Sequence, residues 1–255
     1  NDVRNLKRLS RDVRASIYAF ELGTKVDLSV EVENKKHVTA TLWHKEPMKG
    51  INPRSKYQEL VKMTAPSRDV FADQLKYLEG YADIRQDRGA EILSQVSTPV
   101  PFLQTISFMD EERTPYTLEL LATSLRFAGF VEQQMKYALA VKRPIEFSPQ
   151  IQPMIPTPTH GSLPSGHATE AFTLARVIWK LMRRSAVPQY QEDGYWGEML
   201  MRLASRIAVN RTVAGVHFPV DSAAGAILGL TLADFIFAQA TNSIYTQAKF
   251  DGLHY

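Results

Sequence analysis

The prolines between residues 143 and 165 constrain the fold of this chain more than any other feature. Six fall within this stretch, at positions 144, 149, 153, 156, 158 and 164. Proline lacks a backbone N–H and fixes φ, so this density excludes a regular helix and stiffens the segment. A long rigid loop inside a compact domain more often carries function than links domains. We therefore expect this loop to form one wall of a functional site.

The segments on both sides of the loop show helical periodicity. Apolar residues recur at helix spacing in six stretches, which predicts helices at 67–79, 82–95, 117–141, 167–182, 196–213 and 220–240. Near the N-terminus, apolar residues alternate from Val26 to Val32, and a β-branched run follows, which predicts a β-hairpin. The predicted fold class is mainly α, a helical bundle with a small N-terminal β-hairpin. We expect an N-terminal segment over residues 1–65, packed on a helical catalytic domain over residues 66–255.

Composition excludes several functions and membrane insertion. The 255 residues contain no cysteine, which excludes disulfides, thiolate catalysis and cysteine-ligated metals. The net charge of +3 is spread along the chain, which argues against a nucleic-acid partner. The most apolar run, from Ser222 to Ala233, is shorter than the ~20 residues of a membrane-spanning helix. We predict a soluble chain without a membrane span, periplasmic or secreted, for which a homo-oligomer stays open.

A first candidate site lies where the proline-rich loop meets a predicted helix, at Pro164-Ser165-Gly166-His167. Ser165 can cap the helix, and Gly166 lets a ligand approach the backbone closely. Such a turn points several N–H groups and the positive end of the helix dipole at one place, which makes an anion site. The alternative is an ordinary helix cap beside a histidine without a function.

Two further groups of charged residues have spacings that suit the same ligand. Lys136 and Arg143 stand seven residues apart, close to two helical turns, so both cations would fall on one helix face and could grip one oxyanion. Arg211 precedes His217 and Asp221, which are four residues apart, so on a helix the carboxylate can orient the imidazole. Each group alone has an ordinary alternative, a pair of solvated cations or an ion pair at a helix start.

In chain order the three groups form a specific pattern: Lys136-x6-Arg143-Pro144, Pro164-Ser165-Gly166-His167 and Arg211-x5-His217-x3-Asp221. This pattern resembles the shared signature of the vanadium-dependent haloperoxidases and of the type 2 phosphatidic acid phosphatase and bacterial acid phosphatase superfamily. It covers residues 136–221, about a third of the chain. The resemblance implies a helical bundle of that type with the active site at one end of the bundle.

The resemblance implies that five residues of the pattern bind an anion. Lys136, Arg143 and Arg211 would neutralise the equatorial oxygens of a tetrahedral or trigonal-bipyramidal oxyanion. Ser165 and the Gly166 N–H would complete the cradle. Such a pocket suits two chemistries, because vanadate resembles phosphate at its transition state.

The two chemistries assign different roles to the same histidines. In a haloperoxidase, His217, held by Asp221, would bind the vanadate cofactor as its metal ligand, and His167 would handle protons while hydrogen peroxide oxidises a halide. In an acid phosphatase, His217 would attack phosphorus to form a phosphohistidine without a cofactor, and His167 would protonate the leaving alcohol of a phosphate ester. The three motifs are common to both, so they do not separate them.

His160 favours one of the two. The stretch PTHGSLPSGHA resembles the algal vanadium bromoperoxidases, in which a second histidine would bond His167 or the peroxide. We therefore predict a vanadate-dependent haloperoxidase that oxidises bromide or iodide, with His160 as a catalytic residue beside His167, His217 and Asp221. The alternatives are a metal-free acid phosphatase that hydrolyses phosphate monoesters, and an anion-binding protein without activity.

Overall fold

The computed structural model describes residues 3–33, 37–47, 55–191 and 194–255. The helices and strands follow the order α1 (Val3–Leu6), α2 (Arg11–Gly23), β1 (Val26–Glu33), β2 (His37–Pro47), β3 (Ser55–Thr64), α3 (Arg68–Ala82), α4 (Arg85–Ser94), α5 (Val100–Ser107), α6 (Pro115–Leu139), α7 (Pro144–Phe147), α8 (Gly166–Arg184), α9 (Tyr195–Val213), α10 (Pro219–Thr241) and β4 (Ala248–Asp251). The predicted fold class, mainly α with a small β element, is confirmed.

The four strands form one sheet in the order β1-β2-β3-β4. β1 and β2 pair antiparallel, which confirms the predicted hairpin, although its turn at residues 34–36 lies outside the described residues. β3 pairs antiparallel with β2, and β4, from the far end of the chain, joins β3 in parallel. The sequence predicts neither β3 nor β4, because β4 has only four residues and its partner is distant in sequence. The division of the chain into residues 1–65 and 66–255 stays a prediction.

Two apolar clusters hold the helices in place. One joins the sheet to α6 and α10, and it includes the fully buried Leu60, Phe127 and Phe235. The other joins α5, α8 and α9 around residues such as Leu174 and Leu200. Each such side chain contributes roughly 1.5–3 kcal/mol when it leaves water. The clusters fix the relative positions of the four long helices that carry the predicted motifs.

Helices α8 and α10 pack backbone against backbone. A Cβ at Gly225 would lie 2.6 Å from the carbonyl oxygen of Ser165, and one at Gly229 would lie 2.4 Å from that of Thr169. Only glycine permits this approach, because every other residue has a Cβ. The contact brings the starts of the two helices together, and the Ser165 N–H donates to the Asp221 carbonyl oxygen at 2.9 Å.

Candidate active site

Four helix ends meet at one end of the bundle. α6 and α9 end there, with Lys136 and Arg211 in their last turns, and α8 and α10 begin there. Cations in a last turn offset the negative end of a helix dipole, and the N-termini of the other two helices add positive potential. The fold therefore concentrates positive charge at this end, as an anion site requires.

A cavity of about 300 Å³ opens at this end. Six of its lining side chains can titrate or carry charge, namely Glu132, Arg143, His160, His167, Glu170 and His217. The proline-rich loop contributes Pro158 and His160 to the wall, as its stiffness predicts. The structure thus brings residues from all three motifs to one cavity.

His217 is held in one tautomer by its two neighbours. Its Nε2 lies 2.9 Å from Nη1 of Arg143, which can only donate, so Nε2 must be the accepting, unprotonated nitrogen. Nδ1 then carries the proton and donates to Oδ2 of Asp221 at 3.1 Å. Burial, followed by the nearby cation of Arg143, lowers the pKa of His217 well below its ordinary value. The imidazole is therefore neutral, with its Nε2 lone pair available to an electrophile.

Asp221 is fixed more firmly than the sequence indicates. Its Oδ2 accepts from the Ser162 hydroxyl at 2.5 Å and from the Phe218 N–H at 2.9 Å, in addition to His217. The side chain is fully buried at the first turn of α10. Ser162 lies in the quoted loop but outside the motifs, and its position three residues before Ser165 gives no signal of this role.

Arg143 is positioned by the loop and by His160. Its Nη1 also donates to the Val216 carbonyl oxygen at 2.8 Å, and its Nε donates to the carbonyl oxygen of His160 at 3.1 Å. Its Nη2 lies 3.1 Å from Nδ1 of His160, which accepts because arginine has no acceptor. His160 therefore contacts the cation that holds His217, whereas the sequence predicts a contact with His167 or the ligand.

Lys136 and Arg143 reach the site by a different route from the predicted one. α6 ends at Leu139, Ala140 adopts a left-handed conformation with φ of 48°, and Arg143 precedes the short α7. The two cations therefore do not share a helix face. The Lys136 ammonium is buried and donates to the Pro164 carbonyl oxygen at 2.5 Å, and burial lowers its pKa to about 8.

Arg211 uses only part of its hydrogen-bonding capacity. Its Nη2 donates to the Ile92 carbonyl oxygen at 3.2 Å and to Oε1 of Gln95 at 3.4 Å. Its Nε and Nη1 are buried and have no hydrogen-bond partner among the residues that the structure describes. Burial lowers its pKa to about 10, still high enough to keep the guanidinium charged near neutrality. An oxyanion in the cavity would offer an acceptor to a free nitrogen of this guanidinium.

Gln95 connects two predicted site residues, and no sequence signal marks it. Its side-chain oxygen accepts from Arg211, and its backbone oxygen accepts from Nε2 of His167 at 2.9 Å. His167 therefore carries a proton on Nε2 and has Nδ1 left for a ligand. Burial, followed by the charge of Arg211, lowers the pKa of His167 to about 4.

Ser165 and Gly166 occupy the start of α8. Ser165 caps the helix, and its Oγ accepts from the Ala168 N–H at 3.4 Å. A Cβ at Gly166 would lie 2.6 Å from Oε1 of Glu132, so the carboxylate would have to move if residue 166 had a side chain.

Two carboxyl groups of the cavity lie outside the sequence-predicted site. Burial raises the pKa of Glu132 to about 7 and that of Glu170 to about 8. Glu132 stands four residues before Lys136 on α6, and Glu170 stands three residues after His167 on α8. Those helical spacings are the signal that could have identified them, because residues three and four apart share a helix face.

Comparisons with known proteins give a consistent result. A family model described as the PAP2 superfamily matches residues 118–245. The bacitracin transport permease protein BcrC of Bacillus licheniformis is 28% identical over 95 residues, which are 37% of this chain and 41% of that protein. The chain thus matches about two fifths of that relative's length. A transmembrane PAP2-type phosphatidylglycerolphosphate phosphatase from Bacillus subtilis matches with 14% identity and a TM-score of 0.43, over 68% of this chain and 97% of that one.

The prediction of a haloperoxidase is wrong. The family match points to PAP2 proteins and favours the phosphatase alternative, and the comparisons give no support to vanadate, hydrogen peroxide or a halide. The error has a physical reason, since the three motifs build an oxyanion site that serves either chemistry. Only His160 favoured the peroxide interpretation. Its ring contacts Arg143, and positioning that cation serves a phosphatase as well as a haloperoxidase.

The prediction of a soluble chain without a membrane span is also wrong. The apolar run between Asp221 and Asp234 is part of the longer helix α10, which by length and composition could cross a membrane. In its most apolar window, 61% of the residues are buried inside the protein. The relative is, by its name, a transport permease. The sequence prediction failed because it judged the apolar run between the two aspartates by itself, although the helix predicted over residues 220–240, like α10, continues past both.

The match to the family model covers half of the chain and includes every residue of the three motifs from Lys136 to Asp221. It also includes α6, α8, α9 and α10 almost entirely, the four helices whose ends build the cavity. The chain belongs to the PAP2 superfamily.

Proposed function

We propose that this protein is a phosphatase that hydrolyses phosphate esters through a phosphohistidine on His217. One observation carries the proposal. Among the described residues, four buried side-chain polar atoms have no hydrogen-bond partner, and they belong to Glu132, Arg211 and Asp221, all at the cavity end. The two on Arg211 are donors, and leaving them unpaired is costly, so the site is suited to a ligand that accepts hydrogen bonds there, as a phosphoryl group does.

In the first step His217 is the nucleophile. Its Nε2 lone pair attacks phosphorus, the bond from phosphorus to the ester oxygen breaks, and the leaving oxygen takes a proton from His167. Arg143, which donates to Nε2 in the ligand-free site, can transfer that hydrogen bond to a phosphoryl oxygen. Asp221 stabilises the positive charge that develops on the imidazole through its bond to Nδ1.

In the second step water regenerates the enzyme. Water attacks the phosphohistidine, loses a proton to His167, and releases inorganic phosphate as the nitrogen–phosphorus bond breaks. His167 has to be protonated at the start of each cycle, although burial lowers its pKa to about 4 in the ligand-free protein. A bound phosphate dianion raises that pKa, because an opposite charge favours the protonated imidazole.

Three buried cations supply the charge that this reaction requires. Lys136, Arg143 and Arg211 are each no more than 2% exposed. Because these side chains are buried, such fixed charges stabilise a trigonal-bipyramidal phosphorane more strongly than they would in bulk water. Ser165 and the Gly166 N–H at the start of α8 complete the proposed cradle.

The proposal is tested by phosphate release from p-nitrophenyl phosphate and from a short-chain phosphatidate. We expect His217→Ala to lower kcat at least ~10³-fold, since removing a nucleophile abolishes the covalent route. A matched control is His254→Ala, because His254 is exposed in the last described residues of the chain. Rapid quenching of the wild type with a radiolabelled ester should give an acid-labile, alkali-stable phosphoprotein. Full activity of His217→Ala, or no release from either ester, would overturn the proposal.

A further inference from the structure

Glu132 lies where a bound phosphate would be expected. Its carboxylate faces the first turn of α8, so close that a Cβ at Gly166 would be 2.6 Å from Oε1 and 3.0 Å from Oε2. The side chain is 5% exposed and lines the cavity with His217. Its Oε1 accepts one weak bond, from Gln133 at 3.4 Å, and its Oε2 accepts none from the described part of the chain.

The surroundings of Glu132 are those of an anion cradle. Lys136 stands one turn further along α6, Arg143 precedes α7, and Glu170 lies one turn into α8. The other charged or titratable groups at this end are His160 of the loop, His167 at the start of α8, Arg211 at the end of α9, and His217 and Asp221 at the start of α10. Burial raises the pKa of Glu132 to about 7, and the cations of Lys136 and Arg143 limit the rise. The carboxylate is therefore an internal anion beside cations that a substrate phosphate would also use.

A phosphate dianion and a carboxylate cannot both occupy this cradle at low cost, because like charges at close range repel. We propose that Glu132 is a further substrate-binding residue, which accepts a proton when phosphate binds and then donates that proton as a hydrogen bond to a phosphoryl oxygen. The proposal rests on the function proposed above, since it assigns the phosphate to the same cavity. It gives Oε2 the partner that the protein does not provide.

Sulfate is the probe, because it remains a dianion across the pH range in which Glu132 titrates. Calorimetry at pH 6 and pH 8 would compare the wild type with Glu132→Gln. At pH 8 a group that titrates near 7 is protonated in about one molecule in ten. If only protein with protonated Glu132 binds sulfate well, the wild type should bind it about tenfold more weakly at pH 8 than the fully protonated protein does. We expect Glu132→Gln to bind sulfate about tenfold more tightly than the wild type at pH 8, and equally at pH 6.

A matched control comes from the same helix. Glu119→Gln removes a buried carboxylate near the start of α6, remote from the cavity, and should leave the pH dependence of sulfate binding unchanged. Because Lys136 has a pKa of about 8 in the wild type, and the carboxylate of Glu132 helps to keep it charged, variants are compared at one pH. A folded Glu132→Gln variant that binds sulfate no more tightly than the wild type at pH 8 would overturn the proposal.

A second measurement does not require the variant to fold. The infrared difference spectrum of the wild type at pH 8, with and without sulfate, should gain a protonated-carboxyl band when the anion binds. Absence of that band while sulfate is bound would equally overturn the proposal. Both measurements report on binding, so a protein that binds sulfate in this way but hydrolyses no ester would refute the proposed function and leave the role of Glu132 supported.

Discussion

Helix α6 carries two buried glutamates, and the protein treats them differently. Glu119, near the start of the helix, is 8% exposed, and both of its oxygens accept hydrogen bonds from the guanidinium of Arg14 on α2. Glu132, near the end, is 5% exposed, and its Oε2 has no partner. The two side chains are alike in chemistry and burial, and only their partners differ.

The difference separates scaffold from site. Removing a charge from water costs free energy that a well-placed partner offsets, as Arg14 does for Glu119. Where the protein leaves polar atoms unpaired, the missing partner has to come from outside or the fold loses stability. The Arg14–Glu119 pair therefore holds α2 against α6, whereas the cavity end keeps unpaired groups that an anion could bind.

Arg211 and Arg14 provide the sharpest test of this contrast. Replacing Arg211 by methionine removes two donors that have no protein partner, so we expect kcat/KM to fall by about 10²–10³-fold. Arg14→Met should change kcat/KM by less than about twofold, because the site is distant, while lowering the melting temperature. Phosphate release and thermal unfolding of both variants check the prediction. An equal loss of activity in the two would show that the cavity end has no special role.

The acid stability of the protein tests the burial of His167. Its pKa falls from an ordinary 6.5 to about 4 on folding, so between these values the unfolded chain binds more protons than the folded protein. Stability contributed by the neutral imidazole is therefore present above pH 6.5 and lost as the pH falls towards 4. Between pH 7 and pH 4 we expect the free energy of unfolding to fall by up to about 3 kcal/mol less in His167→Gln than in the wild type.

Urea unfolding at pH 7 and pH 4 would measure the effect for the wild type and His167→Gln. The exposed His254, replaced by Gln, is the control and should follow the wild type at both pH values. If His167→Gln also follows the wild type, the imidazole is not held neutral by burial.

His160 should have a smaller effect, because it supports the site through Arg143. His160→Ala removes the acceptor for Nη2 of Arg143 and keeps the backbone acceptor for Nε. We expect kcat/KM to fall by about tenfold, as for groups that orient a ligand-binding residue. His160→Asn offers a side-chain oxygen in place of Nδ1 and should recover part of the activity. An alanine variant with full activity would show that Arg143 needs no help from the His160 side chain.

The smallest expected effect compares two glycines. Gly129, inside α6, has open space where a Cβ would be, so Gly129→Ala should stabilise the protein by about 0.5–1 kcal/mol without changing activity. At Gly166 a Cβ would collide with Glu132, so Gly166→Ala should lower activity. Denaturant unfolding and phosphate release distinguish the two. A Gly166→Ala variant with normal turnover would mean that Glu132 moves aside freely.

The sequence by itself determined the features that depend on neighbours in the chain. Helix periodicity located the four long helices to within a few residues at most ends, and Ser165 marked the start of α8. The bond between His217 and Asp221 was predicted from their spacing on one helix, and it forms, although His217 lies two residues before the start of α10. The three motifs were sufficient to identify the superfamily, and they remained neutral between two chemistries because both need the same oxyanion site.

Tertiary structure alone decided what distant segments do to one another. Gln95 reaches Arg211 across 116 positions of the chain, and no local pattern announces such a contact. Lys136 and Arg143 converge although α6 ends between them, because the chain turns at Ala140. Glu119 has a guanidinium partner and Oε2 of Glu132 has none among the described residues, and this difference depends on which groups of other helices lie within hydrogen-bond range. Burial and pairing are properties of the packed molecule, so the spacing of residues can place a charge on a helix but cannot show what will neutralise it.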